Sequence, residues 1–146
     1  VSTAAATSIR ENLYDAVEIT PDGILAADES ALRDAGLSGQ KVGYVRNIAE
    51  AFGEDGYSVA YFEGMPNDEV VSELESIKGV GTWTAKMQLM FGLGRPDVFP
   101  VEDLGIRKGM QGLYGDKLER AEMTELAEPW RPYRSYASLY LWRSVD

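Results

Sequence analysis

Asn67-Asp68-Glu69-Val70-Val71-Ser72-Glu73-Leu74-Glu75-Ser76-Ile77, then Lys78-Gly79-Val80-Gly81, then Thr82-Trp83-Thr84-Ala85-Lys86-Met87-Gln88-Leu89-Met90-Phe91 is the stretch that decides the fold. Its first run has apolar residues at 70, 71, 74 and 77, a helical spacing. The run after the glycines reads as a second helix. A helix, a two-glycine hairpin and another helix form an αα unit, and the second helix opens on backbone N–H groups with no partner in the helix. Glycine has no Cβ, so a phosphate can approach that backbone closely, and the helix dipole favours its charge. A plain helix–helix connection accounts for the same residues, since Gly-X-Gly turns join helices in many all-α proteins. The residues beyond the hairpin decide between the two readings, beginning with Asp103, 22 residues past Gly81.

Working outward, helical periodicity covers nearly the whole chain. Ser2 to Ala16 carries apolar residues at Ala5, Ile9, Leu13 and Ala16. Asp28 to Ala35 predicts a short helix ended by Gly36. Ser38 is an expected N-cap for a helix through Val42, Val45, Ile48, Ala49 and Phe52, ended by Gly53. Residues 54–66 read as a turn-rich link, and 92–102 as a loop. Further helices are predicted from Leu104 to Leu113, across 116–127, and from Pro132, which suits a first helical turn. Strand alternation is sustained nowhere. The expected class is all-α, in one domain over residues 1–146, with the hairpin motif at about 67–93 and the C-terminal helices at 103–146. The chain opens at Val1 on Ser2-Thr3-Ala4-Ala5-Ala6, which reads as the inside of a helix, so an N-terminally truncated fold is expected.

Composition narrows the chemistry. Hydrophobic content of 45% and charged content of 26% suit a globular domain, no stretch reaches the length of a membrane span, and no secretory leader opens the chain. With no cysteine and no histidine, disulfides, thiolate-held zinc, iron–sulfur clusters and imidazole acid/base chemistry are excluded for these residues. Catalysis here would rest on carboxylates, Lys, Tyr or backbone dipoles. The net charge of −10 opposes nucleic-acid binding, but it is unevenly spread. Residues 1–76 hold 4 basic and 15 acidic residues, net −11, whereas 77–146 hold 10 basic and 9 acidic, net +1. Only 5 lysines against 24 carboxylates predicts a high-salt, haloarchaeal cytoplasm. There a phosphate binder would lean on backbone N–H groups and shape.

Three groups of side chains carry candidate chemistry. Asp103 is a good N-cap for the helix starting at Leu104, and Arg107 one turn on is a ready ion-pair partner. Both are compatible with catalysis, because a helix N-terminus and a cation keep a carboxylate ionised, as stabilising an oxocarbenium-like sugar requires. Glu102 reads as a solvated neighbour. Trp130-Arg131-Pro132-Tyr133-Arg134-Ser135-Tyr136-Ala137-Ser138-Leu139-Tyr140-Leu141-Trp142 puts Tyr133, Tyr136 and Tyr140 on one helix face, with Ser135, Leu139 and Trp142 on another. Such a stripe is either core or the wall of a cleft for an extruded base. Arg131 and Arg134 are either phosphate contacts or partners for surface carboxylates.

Hairpin, carboxylate and aromatic block together resemble one family, the helix-hairpin-helix (HhH-GPD) DNA glycosylases, and within it the 3-methyladenine DNA glycosylase II type. The matching residues are Ile77 to Ala85, Asp97 to Ile106 and Trp130 to Tyr136. The likeness is strongest over 67–146 and looser across 1–55. It implies an all-α fold acting on double-stranded DNA with alkylated bases, as a monomer in a prokaryotic cytoplasm, associated with the nucleoid when acting. Lys78, Gly79, Val80, Gly81, Thr82, Thr84 and Arg134 become the expected DNA-binding residues. No cofactor is required, though the resemblance implies a monovalent cation (K+ or Na+) on the carbonyls of Ile77 and Val80. Asp103 maps to the catalytic aspartate. Trp83 stands where bifunctional relatives carry a Schiff-base lysine, implying hydrolysis without a lyase step. The base pocket would comprise Trp83, Met87, Tyr136 and Trp142. Met87 replaces a pocket aromatic, which implies a less electron-rich slot, and the wedge that fills the gap left by the flipped nucleotide would fall before Val1. A glycosylase for oxidised or mismatched bases, a non-catalytic DNA-binding module and an all-α interaction protein are the competing readings.

Overall fold

The structure, a computed structural model, describes residues 2–146, and every regular element among them is helical. The chain divides into two compact units, each built from discontinuous segments. One comprises the chain up to Glu63 together with Ser76–Val80; the other comprises Gly64–Glu75 and Gly81–Asp146. Among the described residues no helix is long and apolar enough to cross a membrane.

The first unit holds α1 (Thr3–Ala16), α2 (Pro21–Ala26), α3 (Glu29–Asp34), α4 (Gly39–Glu54) and α5 (Val59–Phe62). Its core is Ile24, Leu32, Val42 and Ala49, with Leu13, Val17 and Val45 packed against it. Four starts are capped by hydroxyls, those of Ser2, Thr20, Ser38 and Ser58, each accepting from a backbone N–H three residues on. Several boundaries differ from the sequence reading. Ser2 caps α1 and is not inside it, because its extended backbone turns its hydroxyl onto Ala5 N–H. The short helix α2 has a Thr20 cap and Pro21 in its first turn, and is too brief to show a periodicity. Helix α4 runs through Gly53 and ends at Glu54, two residues before Gly56, whose φ of +68° favours glycine. The link over 54–66 contains α5, where Phe52, Tyr57, Tyr61 and Phe62 pack ring against ring.

The second unit holds α6 (Asn67–Glu75), α7 (Thr82–Met87), which continues as a π-helical turn Gln88–Gly92, α8 (Leu104–Tyr114), α9 (Arg120–Ala127), a 3-10 turn Glu128–Trp130, and α10 (Arg134–Val145). Phe99, Ile106, Met110, Met123, Ala127 and Leu141 form its core, with Trp130 and Trp142 at the edge. Helix α6 ends at Glu75, so Ile77, read as its last apolar position, is buried beyond its end. Pro132 lies ahead of α10 and not in its first turn. The buried positions of α10 are Ser135, Ser138 and Leu141, while Leu139, grouped with Ser135 and Trp142 in the sequence, is exposed.

The loop between Gly92 and Asp103 has no regular structure, yet its polar groups are tied down. Ser135 Oγ accepts from Val98 N–H at 2.9 Å and donates to Arg95 O at 2.7 Å. Arg134 grips Asp97 through Nε and Nη2 at 2.8 and 3.2 Å. Lys86 donates to Phe99 O at 3.3 Å, and Arg107 to Val101 O and Glu102 O at 3.1 and 2.6 Å. A segment held at both ends and along its middle delivers its last residue, Asp103, to one place.

Candidate active site

Asp103 caps α8 in extended backbone geometry, and Ile106 N–H donates to its Oδ2 at 3.0 Å. The cap accounts for one donor. Two more come from indoles on different helices: Trp83 Nε1 donates to Oδ1 at 2.8 Å from the first turn of α7, and Trp142 Nε1 donates to Oδ2 at 2.6 Å from α10. An ionised carboxylate accepts about four hydrogen bonds, so three neutral N–H groups nearly complete its shell without neutralising it. Burial pushes the carboxyl up, but the Trp142 and Trp83 donors and the Ile106 and Gly105 amides outweigh it and hold Asp103 below the usual carboxylate range. The arrangement yields a half-buried anion that forms no ion pair among the described residues.

Arg107, the expected partner of Asp103, is turned onto the carbonyls of Val101 and Glu102. A guanidinium bonded to two carbonyls braces the loop and forms no ion pair with Asp103. Nor is Glu102 a solvated bystander: both its oxygens engage Lys86 Nζ, drawing the second carboxylate away from Asp103.

Two of the expected pocket residues share one partner. Trp83 (48% exposed) and Trp142 meet at Asp103, and the exposed ring of Phe91 stacks on Trp142 with centroids 6.0 Å apart and planes 29° apart. Phe91 is a residue that the sequence reading does not single out. It lies in the π-helical turn, on the side away from the buried Ala85, Leu89 and Met90, and is 65% exposed. Met87, half-buried, ends α7. Tyr136 faces solvent beside Tyr133, their rings 6.3 Å apart, and is not among the donors to Asp103. The tyrosines of α10 are therefore surface, not core.

Arg134, expected to contact DNA, is only 11% exposed at its side chain and forms a two-pronged pair with Asp97. Its guanidinium is thereby engaged within the protein. Arg131 is likewise paired with Glu128 and Asp97.

In the hairpin, Gly79 has φ +104°, and a methyl group on it would lie 2.3 Å from the Tyr44 ring. Only glycine fits there. Its neighbour Lys78 is exposed, with its carbonyl accepting from Asn47 Nδ2 at 3.1 Å. Gly81, by contrast, has ordinary backbone angles and open space where a Cβ would point, and it caps α7 with no side-chain hydrogen bond. Thr82 donates its hydroxyl to Glu75, and Thr84 is half-buried. For a monovalent cation, the Ile77 carbonyl accepts from Val80 N–H at 3.0 Å and has a second lone pair. Backbone oxygens of this kind fit such an ion. The expected wedge position lies outside the described residues.

A model of the HhH-GPD superfamily of base excision DNA repair proteins matches residues 1–132. YfjP of Bacillus subtilis, which carries the provisional name DNA-3-methyladenine glycosylase, is 36% identical over 128 residues, covering 86% of this chain and 45% of that protein. The chain thus spans about half the length of that relative. Among solved structures, the Bacillus halodurans DNA-3-methyladenine glycosidase superposes with TM-score 0.87 at 33% identity, over 99% of this chain and 69% of the other. The Schizosaccharomyces pombe 3-methyladenine DNA glycosylase Mag1, solved with abasic DNA, gives TM-score 0.89 at 31% identity, over 98% and 73%.

Proposed function

Because the chain belongs to the HhH-GPD superfamily of base excision DNA repair proteins, we propose that it is the catalytic part of a monofunctional DNA glycosylase that excises alkylated purines of the 3-methyladenine type. The observation that carries the reading is the Asp103 carboxylate, ionised and held by Trp83, Trp142 and Ile106 with no ion-pair partner among the described residues. A carboxylate so prepared has most to gain when positive charge develops at the sugar.

In this reading the target nucleotide leaves the duplex stack, at a cost of a few kcal/mol, and its base lodges against aromatic rings, with Trp83, Phe91 and Trp142 the foremost candidates beside Met87 and Tyr136. The bond from C1′ to the base nitrogen breaks with its electron pair going to the base. An alkylated purine already carries positive charge and departs as a neutral base, so no strong general acid is needed. Asp103 stabilises the sugar cation and orients a water, whose oxygen bonds to C1′ as its proton is released. Free base and an abasic site result. Trp83, with no amine, cannot form a Schiff base, which supports hydrolysis without strand cleavage.

Lys78, Gly79, Val80, Gly81, Thr82 and Thr84 would hold the DNA backbone, mainly through amides. The carbonyls of Ile77 and Val80 would hold a monovalent cation, whose charge would offset that of a phosphate. The protein would act as a monomer on nucleoid DNA in the cytoplasm.

A non-catalytic DNA-binding module is the reading that the N-cap role of Asp103 alone would suit, but a cap needs one donor and this carboxylate has three. Incubation with methylated DNA in molar salt, with chromatography of the released bases, tests the proposal. Free 3-methyladenine or 7-methylguanine is expected, and Asp103→Asn should cut release by about a hundredfold or more while leaving binding to abasic-site DNA near normal. Release undiminished in the Asn variant would overturn the assignment. Release of oxidised bases alone would redirect the substrate class.

A further inference from the structure

Gly105 lies in the first turn of α8, where its φ is not positive and no turn demands glycine. Helix propensity alone would favour alanine there. The space around it explains the choice. A methyl group at 105 would sit 2.8 Å from Trp142 Cδ1, 3.2 Å from Trp142 Nε1 and 3.1 Å from Asp103 Oδ2. The indole of Trp142 thus lies directly across the backbone of residue 105, in the volume a side chain would fill, and reaches Asp103 Oδ2 from there at 2.6 Å. One turn on, Gly109 performs a different service: a methyl there would lie 3.0 Å from Leu141 O and 3.1 Å from Leu141 Cβ, so its absence lets α8 approach the backbone of α10. The two glycines therefore divide the contact between α8 and α10. Gly109 sets the distance between the helices, and Gly105 leaves room for the indole that crosses to the carboxylate.

We propose that Gly105 is a positioning residue for the glycosylase reaction, keeping open the gap through which Trp142 donates its indole N–H to Asp103. The function of the gap rests on the reading of Asp103 given above; the gap itself does not. A methyl group cannot be absorbed by the neighbours, since Asp103 is fixed by its cap bond and the indole, on the edge of the second unit's core, packs between that core and Phe91. The indole must tilt outward, and its N–H then leaves Oδ2. No such displacement is expected from a methyl at 109, which presses on Leu141.

The experiment compares Gly105→Ala, Gly109→Ala, Trp142→Phe and the Gly105→Ala/Trp142→Phe double variant. The indole N–H resonances of the three tryptophans, assigned through single Trp→Phe variants, report the bond directly in the absence of DNA. Gly105→Ala should shift the Trp142 indole proton upfield, out of the strongly hydrogen-bonded range. Gly109→Ala should lower the melting temperature and leave that proton in place. On methylated DNA, Gly105→Ala should slow single-turnover excision by up to about tenfold, no more than Trp142→Phe, with little change in abasic-site binding. It should add nothing in the Trp142→Phe background. An unmoved indole proton in Gly105→Ala would overturn the positioning role whatever the activity. A shifted proton with unchanged excision would show that the gap holds the bond but that the reaction does not use it, which also overturns the proposal. If wild type excises nothing, the proton shift still decides the geometry, and it is the functional reading of Asp103 that fails.

Discussion

Asp103 is legible in the sequence as a residue but not as an environment. Its position before Leu104 announces a cap, and the spacing from the hairpin singles it out. Trp83 and Trp142 are also legible, one by one, yet nothing in a linear pattern says that indoles 59 residues apart donate to one carboxylate. The partner read from spacing, Arg107, prefers two carbonyls that only the folded loop presents. A carboxylate held by neutral donors also has its own pH behaviour. The native Asp103 carboxyl lies below its ordinary value of 3.8, so it stays ionised as pH falls to that value and beyond, and its charge is lost only on passing through the lower native one. Excision should therefore show no acid limb from Asp103 above the usual carboxylate range. Trp142→Phe removes the larger of the two indole contributions and lets burial reassert itself, so an acid limb should move upward toward neutral pH. Its rate at neutral pH should fall about tenfold, the worth of one hydrogen bond to a charged group. Single-turnover excision measured across pH in both proteins checks this. An identical acid limb in the two would mean that Trp142 does not set the charge of Asp103.

At the scale of elements, the helices on either side of the hairpin are readable because their apolar spacing persists over more than two turns, and an all-α class comes directly from it. Short elements escape that test: α2 and α5, of six and four residues, are defined by Thr20 and Ser58 caps more than by periodicity. The inward face of α10 is hidden from a sequence reading for a different reason. Ser135 and Ser138 look like surface residues, but their hydroxyls are satisfied by Val98 N–H and the carbonyls of Arg95 and Arg134, so burying them costs little. The same interface fixes the loop that ends in Asp103, and Asp97 is its anchor. The Arg134 side chain, foremost through its hydrogen bonds, holds the Asp97 carboxyl below its ordinary 3.8. Its contribution to stability is thus full above that value and is lost as pH falls through the lower native one. Asp97→Asn should destabilise the protein at neutral pH by about 2–3 kcal/mol, the scale of a charge-assisted bond left without its partner. The gap from wild type should narrow once pH drops below about 4. Urea melts at several pH values measure both, and a gap independent of pH would mean that the charge of Asp97 is not what secures the loop.

For the whole molecule the governing quantity is charge. A net −10 over 146 residues, with −11 confined to residues 1–76, is repulsive both within the protein and toward DNA. Five of the ten basic residues of 77–146 are engaged within the protein. Lys86 is committed to Glu102, Arg134 and Arg131 to Asp97 and Glu128, and Arg107 and Arg95 to backbone carbonyls. Cations so engaged release few counterions on DNA binding, and the amides of the hairpin release none. Affinity for abasic-site DNA should then fall only shallowly with salt, with a log–log slope of about −3 or flatter, where each phosphate neutralised by a side chain contributes about −0.9. Self-repulsion, meanwhile, is screened as the Debye length shrinks from about 10 Å at 0.1 M to about 3 Å at 1 M. The melting temperature should rise over that range, by a few degrees for a gain of about 1 kcal/mol in a chain of this size. The two measurements have opposite consequences for the fold and for its ligand, and together they discriminate. A steep binding slope would show that side-chain cations, not backbone amides, carry the contact with phosphate. A melting temperature that falls with added salt would show that the acidic residues are locally paired and that the excess charge imposes no strain for salt to relieve.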